Sequence, residues 1–343
     1  MLYEHVQAAG VRRLAMIGLA KHAGKTTALN TIIEEASQAG VSLSLQSIGV
    51  DGERFDSLIG VAKPAVQAPA GGLIATAADA LEQATAKLEL LEATGVPSAL
   101  GEIFIARVTE PGSVLLAGVR QVEQAGTLLA KLEKWGARLH LIDGAFDRMA
   151  SATPDLVDAI VLCAGASVGR TIVDVARETR AALARLQLPP VEQEWERELA
   201  ALARTTACIA AGGPGMEPKV LSGVNPLLLH PRSIPDWPED AVAVAVPGVV
   251  TDRLLEMWEG LVQTVILRDG THMMGTLAGW KRFARKGGRL LAERAIRIVA
   301  VTVNSVSVEG YRLPRHELLD AIQQIAGGLP VVDCLFSRQG GGQ

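Results

Sequence analysis

Ten residues near the amino terminus carry the clearest chemistry in this 343-residue chain: Gly18-Leu-Ala-Lys21-His22-Ala23-Gly24-Lys25-Thr26-Thr27. A glycine-rich turn closed by Gly-Lys-Thr is suited to holding phosphate. Backbone N–H groups of the turn, and of a helix that starts at its end, point at phosphate oxygens. Lys25 is spaced to reach the β- and γ-phosphates, and Thr26 to offer its hydroxyl to Mg²⁺. Lys21, His22, Ala23 and Thr27 fill out the expected nucleotide contacts. The spacing departs from the common motif in one respect. Five residues separate Gly18 from Gly24, which leaves Leu19 at the usual first-glycine position. The competing interpretation is a helix cap with a chance Gly-Lys-Thr.

Such a turn works only between a strand and a helix. Residues 13–17 form a short apolar run fit for a buried strand, and residues 28–36 have a helical pattern. Asp143 is the second anchor. Leu139-His-Leu-Ile142 runs into Asp143-Gly144, a strand ending in a carboxylate. In a parallel sheet that edge lies beside the phosphate turn, so Asp143 can hold Mg²⁺ directly or through water. The alternative is an aspartate capping a turn. Asp147-Arg148 follows as a structural pair or a phosphate contact. Asp51, at the end of a second strand, reads equally as a carboxylate near Mg²⁺ or the attacking water and as part of a polar turn. Asn304 closes the strand expected over residues 296–303. It reads equally as a turn residue and as a base reader, and a neutral amide serves either purine, so ATP and GTP both stay open.

The elements that must position these groups follow an α/β pattern, with apolar runs alternating with amphipathic stretches. Strands are expected at 41–48, 65–68, 102–108, 138–142, 159–163, 241–246, 264–267, 296–303 and 330–332. Helices are expected at 78–94, 122–135, 171–186, 251–262 and 313–326. Prolines and glycines cluster over 188–240, around Gly212-Gly-Pro-Gly215. This predicts one domain over residues 1–336 with a less regular insertion at 188–240 between two halves of one sheet, and a flexible tail at 337–343. The fold expected is a doubly wound, mostly parallel sheet.

Composition narrows the function. Hydrophobic residues make up 49% of the chain and aromatics 3%, so Ala, Val, Leu and Ile must build the core. A net charge of −4 and an isoelectric point near 5.9 argue against a general nucleic-acid binder. The densest basic run, Lys281-Arg-Phe-Ala-Arg-Lys286 with Arg289, reads as a solvated helix face more readily than as a docking surface. No apolar run approaches a membrane span, and the chain is expected to be soluble and cytoplasmic. The three cysteines lie far apart, and His5, His140, His230, His272 and His316 show no metal-ligand spacing. No Gly-x-Ser-x-Gly elbow is present.

The long loop spacing resembles dethiobiotin synthetase and its relatives in the SIMIBI class of P-loop proteins. Several blocks together resemble a particular family. They are GLAKHAGKTT (18–27), SIGVDGERFD (47–56), Lys63-Pro64 with residues 72–76, LIDGAFDR (141–148), AVAVAVPGVVTD (241–252), Arg268-Asp-Gly-Thr271 and VTVNSVSVEG (301–310). As a set they are similar to the P-loop subunit of the lysine 5,6-aminomutase reactivase, and they span nearly the whole chain. Only the first block is diagnostic of chemistry. The resemblance implies a SIMIBI-like fold, Mg²⁺ with ATP or GTP, a MutS-like ATPase subunit as partner, and an adenosylcobalamin-dependent aminomutase as client. It implies a nucleotide-driven exchange of damaged cobalamin, with slow hydrolysis accelerated in complex. An activating group supplied by a partner is worth about 10³–10⁵ in rate. Two other functions remain open: an ATP-dependent ligase or kinase acting on a small molecule, and a catalytically silent P-loop scaffold, for which Leu19 is the motive.

Overall fold

The computed structural model describes residues 1–48, 65–144, 152–221 and 237–334. Asp51, Asp147, Arg148 and the tail at 337–343 lie outside the described residues. The chain divides into two compact units, Met1–Arg180 with Arg297–Gln343, and Ala181–Ile296.

The first unit begins with α1 (Leu2–Ala8), then β1 (Arg13–Gly18), α2 (Lys25–Gln38), β2 (Leu43–Ile48), β3 (Val66–Ala68) and β4 (Leu73–Ala77). It continues through α3 (Ala78–Leu81), β5 (Lys87–Ser98), β6 (Gly101–Glu110), β7 (Gly112–Val114), α4 (Val122–Lys134), β8 (Leu139–Gly144) and β9 (Ala159–Gly165), and α5 (Ile172–Leu186) runs across the boundary at Arg180. The second unit contains α6 (Glu194–Thr206), β10 (Ile209–Gly212), β11 (Lys219–Leu221), β12 (Ala243–Val246), α7 (Asp252–Trp258), β13 (Thr264–Leu267), α8 (Leu277–Arg285) and β14 (Arg289–Ala292). The chain then returns to the first unit with β15 (Ile298–Asn304), α9 (Arg315–Ile325) and β16 (Val331–Asp333).

The large sheet of the first unit has the order β16-β15-β9-β1-β8-β2-β4-β6-β5. Every pairing from β16 to β4 is parallel, and the two pairings beyond β4 are antiparallel. This is an α/β protein with a large, mostly parallel mixed sheet, an arrangement compatible with double winding. Strands covered on both faces need continuous apolar runs, and β1, β2, β8 and β9 are buried almost throughout. Each covering helix turns one stripe inward. In α2 the stripe includes Leu29, Ile32, Ile33 and Ala36, and in α4 it is Ala125, Leu128, Leu129 and Leu132.

Two sequence expectations are corrected. The helix expected at 78–94 stops at Leu81, and Lys87–Ser98 is instead an edge strand paired antiparallel with β6. Its Leu- and Glu-rich composition favours a helix, but cross-strand packing outweighs local propensity here. The second correction concerns the single sheet. Strands β11-β10-β12-β13-β14 form a separate five-stranded sheet, with its own core clusters around Trp258 and around Leu199. The Gly212-Gly-Pro-Gly215 stretch leads into the turn between β10 and β11, and α6 buries Leu199, Ala200 and Ala203 at helical spacing. The described residues of 188–240 therefore help to build a second α/β unit. Arg289 opens β14, so it is not part of the helix that carries Lys281, Arg282 and Arg285.

No helix among the described residues is long and apolar enough to cross a membrane.

Candidate functional site

The parallel pairing of the large sheet sets the geometry of the site. Met16 pairs with Asp143, and Asp143 with Ser47. Gly18 pairs with Cys163, and Gly165 with Asn304. The carboxyl ends of β1, β2, β8, β9 and β15 therefore lie along one edge, where α/β sheets bind ligands.

Gly18 ends β1, and Gly24 caps α2 with φ 96°. His22 also lies in the left-handed region, at φ 60°, which is uncommon for a residue with a side chain. Together they wind the loop back over the strand ends. The Leu19 N–H donates to the Cys163 carbonyl at 3.0 Å, and the Ser167 hydroxyl donates to the His22 carbonyl at 3.3 Å. A Cβ on Gly18 would come within 2.9 Å of Lys25 Cγ, and one on Gly24 within 3.1 Å of Asn304 Cβ. Packing thus favours glycine at both positions, and at Gly24 the left-handed φ does so as well. Ala23 is buried, while Lys21 is exposed on the loop.

Lys25, Thr26 and Thr27 form the first turn of α2 and are half-buried. The first N–H groups of a helix have no partner within it, and no acidic side chain occupies this first turn, so the positive end of the helix dipole is not offset there. The aliphatic stem of Lys25 passes over Gly18, and its ammonium donates to the carbonyl of Gly144 at the end of β8. Asp143, half-buried, is the preceding residue of that strand, and the Ser47 hydroxyl donates to its carbonyl at 3.2 Å. The charges of Lys25 and Asp143 both act on Cys163, whose thiol is pushed up to about 11 chiefly by burial. That cysteine is a packed core residue, not a nucleophile.

Asn304 stands beside the same helix start. Its side-chain oxygen accepts from the Val306 N–H at 3.0 Å, the turn role weighed from the sequence. Its Cβ packs against Gly24. The structure thus brings together Gly18, His22, Ala23, Gly24, Lys25, Thr26, Thr27, Asp143 and Asn304. Asp51 lies outside the described residues.

Sequence reasoning missed several supporting residues. Cys163, Gly165 and Ser167 buttress the loop from the end of β9, and a Cβ on Gly165 would sit 2.7 Å from the Asn304 carbonyl. Gly118 is crowded still more tightly: a Cβ there would fall 1.7 Å from the Ser47 carbonyl oxygen. A glycine closing an apolar strand, as in Ala164-Gly165, is the one sequence signal that could have pointed to this crowding. Gly144 contributes only its carbonyl, which no side-chain pattern reveals.

Chemically, the arrangement offers a helix start, a lysine and a strand-end carboxylate at one edge. Mg²⁺ suits this donor set, since it is commonly held by one or two protein groups and substrate phosphates. No cluster of three or more His, Cys, Asp or Glu able to hold a metal by themselves occurs among the described residues. No family model, curated protein or solved structure gave a significant match to this chain.

Proposed function

We propose that this protein binds a Mg-nucleotide, ATP or GTP, through a SIMIBI-like P-loop formed by Gly18–Thr27. The observation that carries the proposal is the convergence of the Lys25 ammonium and the Gly144 carbonyl beside Asp143, under a glycine loop that ends at the start of α2. In this assignment the N–H groups of residues 24–27 and Lys25 bind phosphate oxygens, and Thr26 and Asp143 hold Mg²⁺. Bound Mg²⁺ would neutralise charge on the phosphates. Asn304, whose oxygen accepts from the Val306 N–H, would meet the base by donating from its side-chain amide nitrogen.

Beyond nucleotide binding, the sequence blocks support a reactivase or chaperone subunit for an adenosylcobalamin-dependent aminomutase, working with a MutS-like ATPase partner. Hydrolysis is then slow in isolation and stimulated by the complex. The five-residue Gly18–Gly24 spacing favours a second function, a dethiobiotin-synthetase-like ligase or kinase. Titration calorimetry with MgATP and MgGTP tests the shared first step. Binding by the wild type that drops in Lys25→Ala and Asp143→Ala is expected; equal affinity in all three proteins would end the proposal. Phosphate release stimulated only by an aminomutase and its partner supports the reactivase. Turnover with a small carboxylate or amine supports the ligase, and an absence of turnover under both conditions leaves a scaffold.

A further inference from the structure

A contact outside the phosphate loop joins the carboxyl ends of β9 and β15. Directly after Asn304 the chain folds into a tight antiparallel turn. Val306 bridges Arg312, the Leu313 N–H donates to the Ser305 carbonyl at 2.9 Å, and the Ser307 N–H to the Tyr311 carbonyl at 3.0 Å. Gly310, at φ 89°, closes the tip, and Ser305 and Ser307 are buried.

Tyr311 carries this turn across to β9. Its hydroxyl donates to the Ala166 carbonyl, and the Gly169 carbonyl lies 3.5 Å away. These two carbonyls bracket the 3₁₀ turn Ala166–Val168. Ser167, inside that turn, donates its hydroxyl to the His22 carbonyl at 3.3 Å. The N–H of the same peptide, that of Ala23, donates to the Ala20 carbonyl at 3.3 Å. Both polar groups of the His22–Ala23 peptide are thus engaged, and Gly24 follows, packed on Asn304 Cβ. The contacts form a ring: Asn304 and its turn, Tyr311, Ala166, Ser167, His22, then Gly24 back to Asn304.

A peptide held at both of its polar groups resists rotation, and its orientation sets how Gly24 enters α2. The left-handed φ of His22 costs energy, and the Ser167 hydrogen bond opposes its relaxation. We propose that Ser167 and Tyr311 are positioning residues for the nucleotide phosphates. Tyr311 fixes the turn after β9, and Ser167 keeps the phosphate loop in its binding shape through the His22 carbonyl. This inference rests on the nucleotide assignment and adds the two side chains that preset its loop. A preset loop binds more tightly because its ordering is not charged to the ligand. The Arg170–Glu309 ion pair spans the same two segments at 2.8 Å, but its side chains are 80% and 59% exposed. An exposed pair contributes little, so the Tyr311 hydroxyl carries the link.

Calorimetric titration of the full chain with MgATP and MgGTP provides the test. For the nucleotide that the wild type takes, Ser167→Ala and Tyr311→Phe should each raise the dissociation constant about two- to tenfold, as for one lost hydrogen bond. Ser167→Thr keeps the hydroxyl and should stay within about twofold of the wild type. Tyr311 acts through Ser167, so the double variant should bind no more weakly than Ser167→Ala alone. A merely structural role would instead add the two losses. The inference falls by itself if Lys25→Ala weakens binding while Ser167→Ala and Tyr311→Phe both bind like the wild type. It falls equally if Ser167→Thr is as weak as Ser167→Ala, or if the double variant shows the sum of both losses. No binding of either nucleotide by the wild type removes the nucleotide assignment, and this inference with it. Misfolding of one single variant leaves the other decisive.

Discussion

Lys25 is the residue on which the nucleotide proposal turns. Hydrogen bonds made to a charged group are worth roughly 1.5–3 kcal/mol, so Lys25→Ala should lower Mg-nucleotide affinity roughly 10- to 100-fold. Lys25 is half-buried and its ammonium contacts one backbone carbonyl, so thermal stability without nucleotide should change little. Calorimetry and a melting curve on the same sample separate the two effects. His140 makes a different prediction. It sits fully buried in β8, with Nδ1 2.8 Å from the Ser44 hydroxyl. Burial pushes its imidazole down from 6.5 to about 4, against the weaker pull of Glu133. The folded protein therefore keeps His140 neutral where the unfolded chain binds a proton, and stability must fall as pH drops from about 6.5 toward about 4. From pH 7 to pH 5 this one group should cost about 2 kcal/mol. Urea denaturation at the two pH values measures it, and His140→Asn should flatten the difference.

At the scale of elements, the carboxyl edge of the sheet depends on backbones that touch. Gly118 lies against the Ser47 carbonyl of β2, and Val119 bridges Ile48. Gly118→Ala has no room for its methyl group and should destabilise the protein by about 1–3 kcal/mol or more. Gly126, inside α4, has nothing within 4 Å of its would-be Cβ. There, alanine should stabilise by about 0.5–1 kcal/mol, so opposite shifts of the urea midpoint are expected from the same substitution. Elements with one dominant pattern were legible from the sequence: 264–267 coincides with β13, and α4 and α5 fall within a residue or so of expectation. The β5 edge strand was not, because its partner β6 decides its conformation. Helix α1 was also hidden, since it is short and buries only Leu2, Tyr3 and Val6 among polar neighbours.

For the whole molecule, two units with separate cores should unfold in two steps. Trp258 is buried in the second unit, and Trp258→Ala should cost about 3–5 kcal/mol there. Differential scanning calorimetry should show one transition lowered by this substitution and the other raised by Mg-nucleotide. Ligand at a hundredfold excess over its dissociation constant adds roughly 2.7 kcal/mol to the unit that binds it. A single transition moved by both would show that the units are thermodynamically one.

The sequence by itself determined the turn between β1 and α2, the strand that carries Asp143 and the alternation of strands and helices, because these are local patterns of residue type and period. Only the tertiary structure decided that Lys25 reaches Gly144, that Asn304 packs on Gly24, and that strands β10 to β14 leave the first sheet for a second before β15 and β16 return to it. Those outcomes depend on which strands pair and how closely their backbones approach, and pairing is settled by burial between distant segments that no local window of sequence contains.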